Sequence, residues 1–223
     1  MAEPLYFDDP PVAKRLFATT TFAWLWLVLR LYLGWEWFVS GWGKTFGGQI
    51  TWEFWRWGES QYSLTGTANC GWIRSCVVGG HAIPRGGAVK GFAAAAVAQS
   101  KGPHPDVAYS WYVHFLTWIR DSSYGWVGPL VSITELVVGI LLIIGLFTGI
   151  AAFAGALMNF SYVFAGSAGV NPLFIIISLF LILAWRVAGW YGLDRIVLAK
   201  LGTPWQPGTI FRRKRPASAP THN

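Results

Sequence analysis

Long apolar runs interrupted by very few charges constrain this chain most. They cover Leu16–Phe46, Trp126–Phe147, Ile150–Gly166 and Asn171–Trp190. About twenty apolar residues suffice to cross a bilayer as a helix, and irregular backbone cannot face hydrocarbon. The expectation is therefore all-α: an integral membrane four-helix bundle in a single domain, residues 1–223. Its spans fall at about 18–44, 126–147, 150–166 and 171–190. Composition agrees, since charged residues make up only 12 % of the chain, about half the share usual in a soluble domain. The 15 tryptophans suit membrane interfaces, where one end of the ring stays wet.

The charge distribution sets an expected orientation. Lys14 and Arg15 precede the first run, and Arg212, Arg213, Lys214 and Arg215 follow the last, in a basic tail over 203–223. Basic residues mark the cytoplasmic side, so both termini are expected there, with the tail near anionic lipid. The net charge of +7 thus points to a membrane surface; no nucleic-acid motif accompanies it. No signal-peptide cleavage pattern is visible, so the first run is expected to stay as an anchor.

This leaves 47–125 outside the cytoplasm. TWEFWRW (Thr51–Trp57) is aromatic enough to lie on the bilayer. Pro105–Arg120 places Val107, Trp111, Phe115 and Trp118 on one helical face, the pattern of an interfacial amphipathic helix. GFAAAAVA (Gly91–Ala98) reads as a short helix. Pro129 and Pro172 fall early in their runs, where a missing N–H costs nothing. The Thr148-Gly149 and Ser167–Val170 turns would make the last three spans antiparallel neighbours.

Ionisable residues inside spans are costly and therefore informative. The first run carries Arg30, Glu36 and Lys44, the second Glu135 and the fourth Arg186. Arg30, Gly34, Trp37, Gly41 and Lys44 share one helical face; Gly128, Ser132, Glu135 and Gly139 share another. Small residues on these faces let membrane helices approach closely, with the charges pointing into the bundle. Ala152, Ala156, Asn159 and Val163 form a similar face on the third run. At 1.5 Å per residue, Glu135 lies roughly 13 Å below the outer interface, axially between Lys44 and Arg30. Either cation can neutralise it. Two readings stand together: an ion-pair network fixing helix register, or a quinone headgroup site with a proton path. In the second, Glu135, Lys44, Arg30 and Glu36 form the reactive charge cluster. Glu135, Arg30, Trp37 and Asn159 then hold the quinone. Arg186, near the cytoplasmic end, can snorkel to the headgroups.

Cys70 and Cys76, in CGWIRSC, are the only cysteines. Outside the cytoplasm they can form a disulfide, either a structural staple or a redox-active pair. The histidines His81, His104 and His114 show no metal-ligand spacing, so no metal site is expected.

LRLYLGWEWFVSGWGK (Leu29–Lys44) resembles the DoxX family of small bacterial membrane proteins. The resemblance continues in ITELVVGILLIIGLFTGIAAFAGALMNF (Ile133–Phe160) and AWRVAGWYGLDRIVLAKLGTPWQPG (Ala184–Gly208). With GFAAAAVA it covers about three quarters of the chain. Lys44 and Glu135 match the lysine closing the family's first helix and the glutamate of its second. The segment Gly48–Gly86, which holds both cysteines, has no counterpart in that pattern. The family includes the DoxD-type membrane subunit of thiosulfate:quinone oxidoreductase. The resemblance implies a four-helix bundle in the bacterial cytoplasmic membrane. It also implies partner subunits and quinone-linked sulfur redox chemistry, with electrons passing from an extracytoplasmic sulfur or thiol donor to membrane quinone. Two cysteines cannot ligate an iron–sulfur cluster of the four-thiolate kind, so any such cofactor belongs to a partner. The rival expectation is a non-catalytic anchor of a respiratory or photosynthetic complex.

Overall fold

Proline opens the first described helix. In the computed structural model, which describes residues 10–46, 73, 76–78, 81–101 and 105–202, Pro10 caps helix α1 (Pro11–Phe17) and Pro11 takes its first position. Next come α2 (Ala23–Phe46), α3 (Gly87–Gln99), α4 (Ser110–Trp118), α5 (Tyr124–Ile144), α6 (Thr148–Phe164), α7 (Asn171–Leu183), α8 (Trp185–Ala188) and α9 (Asp194–Leu201). An antiparallel strand pair, Cys76–Val78 with His81–Ile83, precedes α3.

The first apolar run is not one straight helix. The hydroxyl of Thr19 donates to the carbonyl of Arg15 at 2.6 Å, and Thr19 itself is extended. Threonine side chains compete in this way with the helical ladder. The chain bends by 56° at this break, and a short 3-10 turn at Thr20–Phe22 leads into α2.

The second run also differs from expectation. It does not begin near Trp126: α4, a π-helical turn at Ile119–Ser123 and α5 form one helix, Ser110–Ile144. Pro129 is accordingly internal rather than in a first turn. It removes the bond that would reach the carbonyl of Gly125, just after the π turn has already loosened the ladder. Nor do the four predicted residues of Pro105–Arg120 share a face. Trp111, Phe115 and Trp118 are exposed, while Val107 is buried with Tyr112, Leu116 and Ile119.

The turn between α5 and α6 lies at Gly145–Phe147, three residues before the expected Thr148-Gly149. Gly145 adopts φ 67°, the left-handed stop that glycine tolerates, and Thr148 already opens α6. The fourth run breaks at Ala184. No proline or glycine marks that break. Ala184, Val187 and Ala188 are buried in the same core as Trp26, and the turn carries α8 onto α2.

Among the described residues, Ser110–Ile144 is the one helix long and apolar enough by itself to cross a membrane; the bent pair α1–α2 passes the same test only when taken as one span. Helices α6 and α7 are shorter and apolar. Helix α2 lies against α5, α5 against α6, and α6 against α7, with α7 also touching α2. Their shared core contains Trp26, Leu33, Trp37, Val138, Leu142, Phe174 and Leu181. A Cβ on Gly41 would stand 2.4 Å from the Leu136 nitrogen, and one on Gly139 equally close to the Phe38 nitrogen. The backbones of α2 and α5 therefore touch where the small-residue faces predicted close approach.

Part of the 47–125 segment builds a second core at one end. Val89, Ala93 and Val97 of α3 pack with Tyr112, Leu116 and Ile119, and with Ala165 beyond α6. GFAAAAVA is helical, within α3. Thr51–Trp57, Cys70 and the basic tail lie outside the described residues, so the disulfide expectation does too.

Candidate functional site

Three helices converge on Glu135. Helix α5 carries it at mid-length, fully buried. Lys44, near the end of α2, reaches it with Nζ 2.6 Å from Oε1. Ser40, one turn earlier on α2, donates its hydroxyl to Oε2 at 3.1 Å. Tyr162 of α6 donates its hydroxyl to Oε1. Lys44 Nζ also lies 3.5 Å from the Tyr162 oxygen and 5.2 Å from the centre of its ring. A carboxylate removed from water needs such partners. The close α2–α5 contact at Gly41 brings them within reach, and the edge of Phe92 on α3 covers Tyr162 with ring centres 5.9 Å apart.

A polar layer lies one step further into the helices. Trp37 is three residues before Ser40 and Asn159 three before Tyr162, a rise of about 4.5 Å in each case. A Cβ on Gly155 would come within 2.9 Å of Trp37 Nε1, so that indole lies directly on α6. Trp37 Nε1 and Asn159 Nδ2 are both buried donors with no hydrogen-bond acceptor among the described residues. Ser178 Oγ on α7 is a third such group.

Of the two cations that could face Glu135, Lys44 is the one in contact. Arg30 lies 14 residues earlier on α2, roughly 21 Å away along the axis, and it is buried elsewhere. Its Nη2 donates to the carbonyl of Tyr191 at 3.3 Å, and its electrostatic partner is Asp194. A Cβ on Gly145 would overlap the guanidinium, 1.5 Å from Nη1. Only a glycine leaves this room. Asp194 is fully buried. It accepts the N–H of Phe147 at 2.6 Å and of Thr148 at 3.0 Å, thereby capping α6 from a distant part of the chain. Glu36 is half-buried, one turn beyond Tyr32 and interacting with it electrostatically, outside the Glu135 cluster.

Sequence reasoning missed Ser40, Tyr162 and Asp194. Tyr162 had a usable signal, since it follows Asn159 by three residues and shares its face. Asp194 had a weaker one: a carboxylate in Gly-Leu-Asp-Arg, just beyond an apolar run that contains no acid of its own.

Residues 113–209 match the family model described as TQO small subunit DoxD. Over that stretch, less than half of the chain, the sequence is similar to that family. No curated protein and no solved structure matches it. The DoxD-like region contains Glu135, Asn159, Tyr162 and Asp194. Lys44, Ser40, Trp37 and Arg30 lie before it and reach it through the α2 packing. The description names a small subunit, in keeping with partner proteins.

Proposed function

We propose that the chain is a multi-pass membrane subunit in which the Glu135 cluster holds a quinone headgroup and handles its protons. Electrons reach the quinone from an extracytoplasmic sulfur or thiol donor carried by a partner. The observation that carries this reading is a fully buried glutamate bonded at once to Lys44, Ser40 and Tyr162. Ionisable groups at such depth in apolar helices mark proton and substrate pathways. The buried N–H groups of Trp37 and Asn159 supply donors that quinone carbonyls would satisfy. The match to a family described as a TQO small subunit supports the substrate class.

The spans in this reading are α2, α5, α6 and α7–α8, with both termini cytoplasmic. Their outward faces are apolar: Ile150, Phe153, Leu157 and Phe160 on α6, and Leu173, Ile176, Phe180 and Leu183 on α7, are all exposed. Such faces suit lipid and not water. Helix α6, at 17 residues, spans about 26 Å, close to the hydrocarbon thickness of about 30 Å.

The test is quinone binding by the purified, lipid-reconstituted protein, using a short-chain ubiquinone and a short-chain menaquinone. Binding should weaken at least tenfold in Glu135→Gln and in Tyr162→Phe, each assayed at a temperature where circular dichroism shows it fully folded. A wild-type protein that binds neither quinone refutes the proposal. A second reading, a non-catalytic anchor, is favoured by the exposed aromatic row Trp111, Phe115, Trp118 and Trp126. Recovery in fixed ratio with a larger complex, without quinone binding, would select it.

A further inference from the structure

The end of the molecule opposite the Glu135 cluster carries an apolar groove of about 350 Å³. Its walls come from the start of α6, the α7–α8 break and α9. Phe147, Ile150, Phe153, Ile182, Trp185 and Leu198 line it. Gly149 shapes it: a Cβ there would stand 2.8 Å from Trp185 Cβ, so Trp185 packs closely on the first turn of α6.

The surroundings of the groove are basic. Arg186 lies over the Trp185 ring at 5.8 Å, and Arg195 over Trp190 at 4.7 Å. Arg195 precedes Leu198 by three residues and so shares its face of α9. Both arginines are exposed. Lys14 and Arg15 on α1, which packs on α8, and Lys200 on α9 add to the positive field at this end. Asp194 also lines the groove, and its two carboxylate oxygens already accept two backbone N–H groups. Neither Arg186 nor Arg195 forms an ion pair among the described residues.

We propose that this groove binds an anionic phospholipid, with an acyl chain against Ile150, Phe153 and Trp185 and the phosphate against Arg186 and Arg195. An apolar channel alone would take any chain; the unneutralised arginines beside it select a negative headgroup, which a quinone does not offer. Two arginines at a membrane surface give roughly tenfold or greater preference. The inference rests on the membrane reading above, though not on the quinone site.

Native mass spectrometry of the full-length protein, taken from membranes in mild detergent, tests it. The probe is an equal mixture of phosphatidylglycerol and phosphatidylcholine with identical chains. Wild type should retain one phosphatidylglycerol in preference to phosphatidylcholine. Arg186→Gln with Arg195→Gln should lower that preference about tenfold. Ile150→Trp, which fills the groove, should lose both lipids. Glu135→Gln should leave the preference intact, which separates this result from the quinone proposal. Neutralising Arg212, Arg213, Lys214 and Arg215 in the tail should also leave it intact. Equal retention of the two lipids by wild type overturns the proposal, as does a preference that follows the tail and ignores Arg186 and Arg195. A chain recovered in the soluble fraction would overturn it together with the membrane reading.

Discussion

Lys44 and Glu135 should prove energetically inseparable, and a double-mutant cycle reads this directly. Lys44→Met leaves the fully buried Glu135 with two hydroxyl donors and no cation. Removing one partner of a buried pair costs about 3–5 kcal/mol, and Glu135 has no exposed surface through which water could compensate. About 4 kcal/mol is expected. In Glu135→Leu the cation that loses its carboxylate is Lys44, whose side chain is 21 % exposed. It can turn its ammonium toward water, so the loss falls to about 3 kcal/mol. The double variant strands neither charge. It leaves only the Ser40 and Tyr162 hydroxyls to find new partners, a cost of about 2–3 kcal/mol. The coupling energy is then about 4–5 kcal/mol. Unfolding of the four proteins by dodecyl sulfate in mixed micelles, followed by circular dichroism, gives each value. Single losses that add within about 0.5 kcal/mol, as they do for distant independent sites, would refute a shared buried pair.

Three further perturbations probe other parts of the argument. Gly41→Ala drives a methyl to 2.4 Å from the Leu136 nitrogen and should cost about 1–3 kcal/mol or more; Gly91→Ala on α3 meets nothing within 4 Å and should stabilise by about 0.5–1 kcal/mol, both measured by thermal melting in detergent. Asp194→Asn removes the charge facing Arg30 and leaves one side-chain acceptor oxygen for the two α6 N–H groups, so it should lower stability by about 3 kcal/mol in the same assay, whereas an unchanged melting curve would deny the Arg30–Asp194 interaction any weight. A reporter active only in the cytoplasm should work when fused after Asn223 and stay silent when inserted at Gly80; activity at Gly80 would end the four-span proposal.

Much of this architecture is legible because apolar length and buried charge are coarse signals. The small-residue stripe of α2 and α5 could be read from spacing alone, because close backbone approach demands glycine wherever it occurs. The choice between Lys44 and Arg30 could not. Axial depth carries an error of a few residues, and Lys44 and Arg30 lie on the same face within that uncertainty. The breaks were harder still. Thr19 ends α1 by a side-chain hydrogen bond that three threonines in a row only hint at. Ala184 is a good helix former, and tertiary packing overrides its propensity. The continuity of α4 with α5 was hidden because Pro129 reads as a start signal, although here the helix runs through it. Tyr162 was hidden by its neighbours: in SYVF it passes for one more aromatic in an apolar run.

The two buried charge clusters, at opposite ends of α2, have different chemical capacities. Arginine stays protonated in proteins. Arg30 therefore cannot relay a proton, and Gly145 and Gly192 pack so tightly on its guanidinium that no ligand could enter beside it without displacing backbone. Asp194 is equally committed, since both its oxygens hold the first turn of α6. That cluster ties α2, the α5–α6 turn and the start of α9 together. The Glu135 cluster has the opposite character. A carboxyl, a phenol and an ammonium can each gain or lose a proton, the three are bonded to one another, and Lys44 keeps a partial opening to the surface. The ammonium of Lys44 and the phenol of Tyr162 both donate to Oε1, so in the proposed function each is a proton source for Glu135. Any reaction that moves protons through this fold is therefore to be sought at the α3-covered end of the helices, with Arg30 and Asp194 serving to hold the helices that carry it.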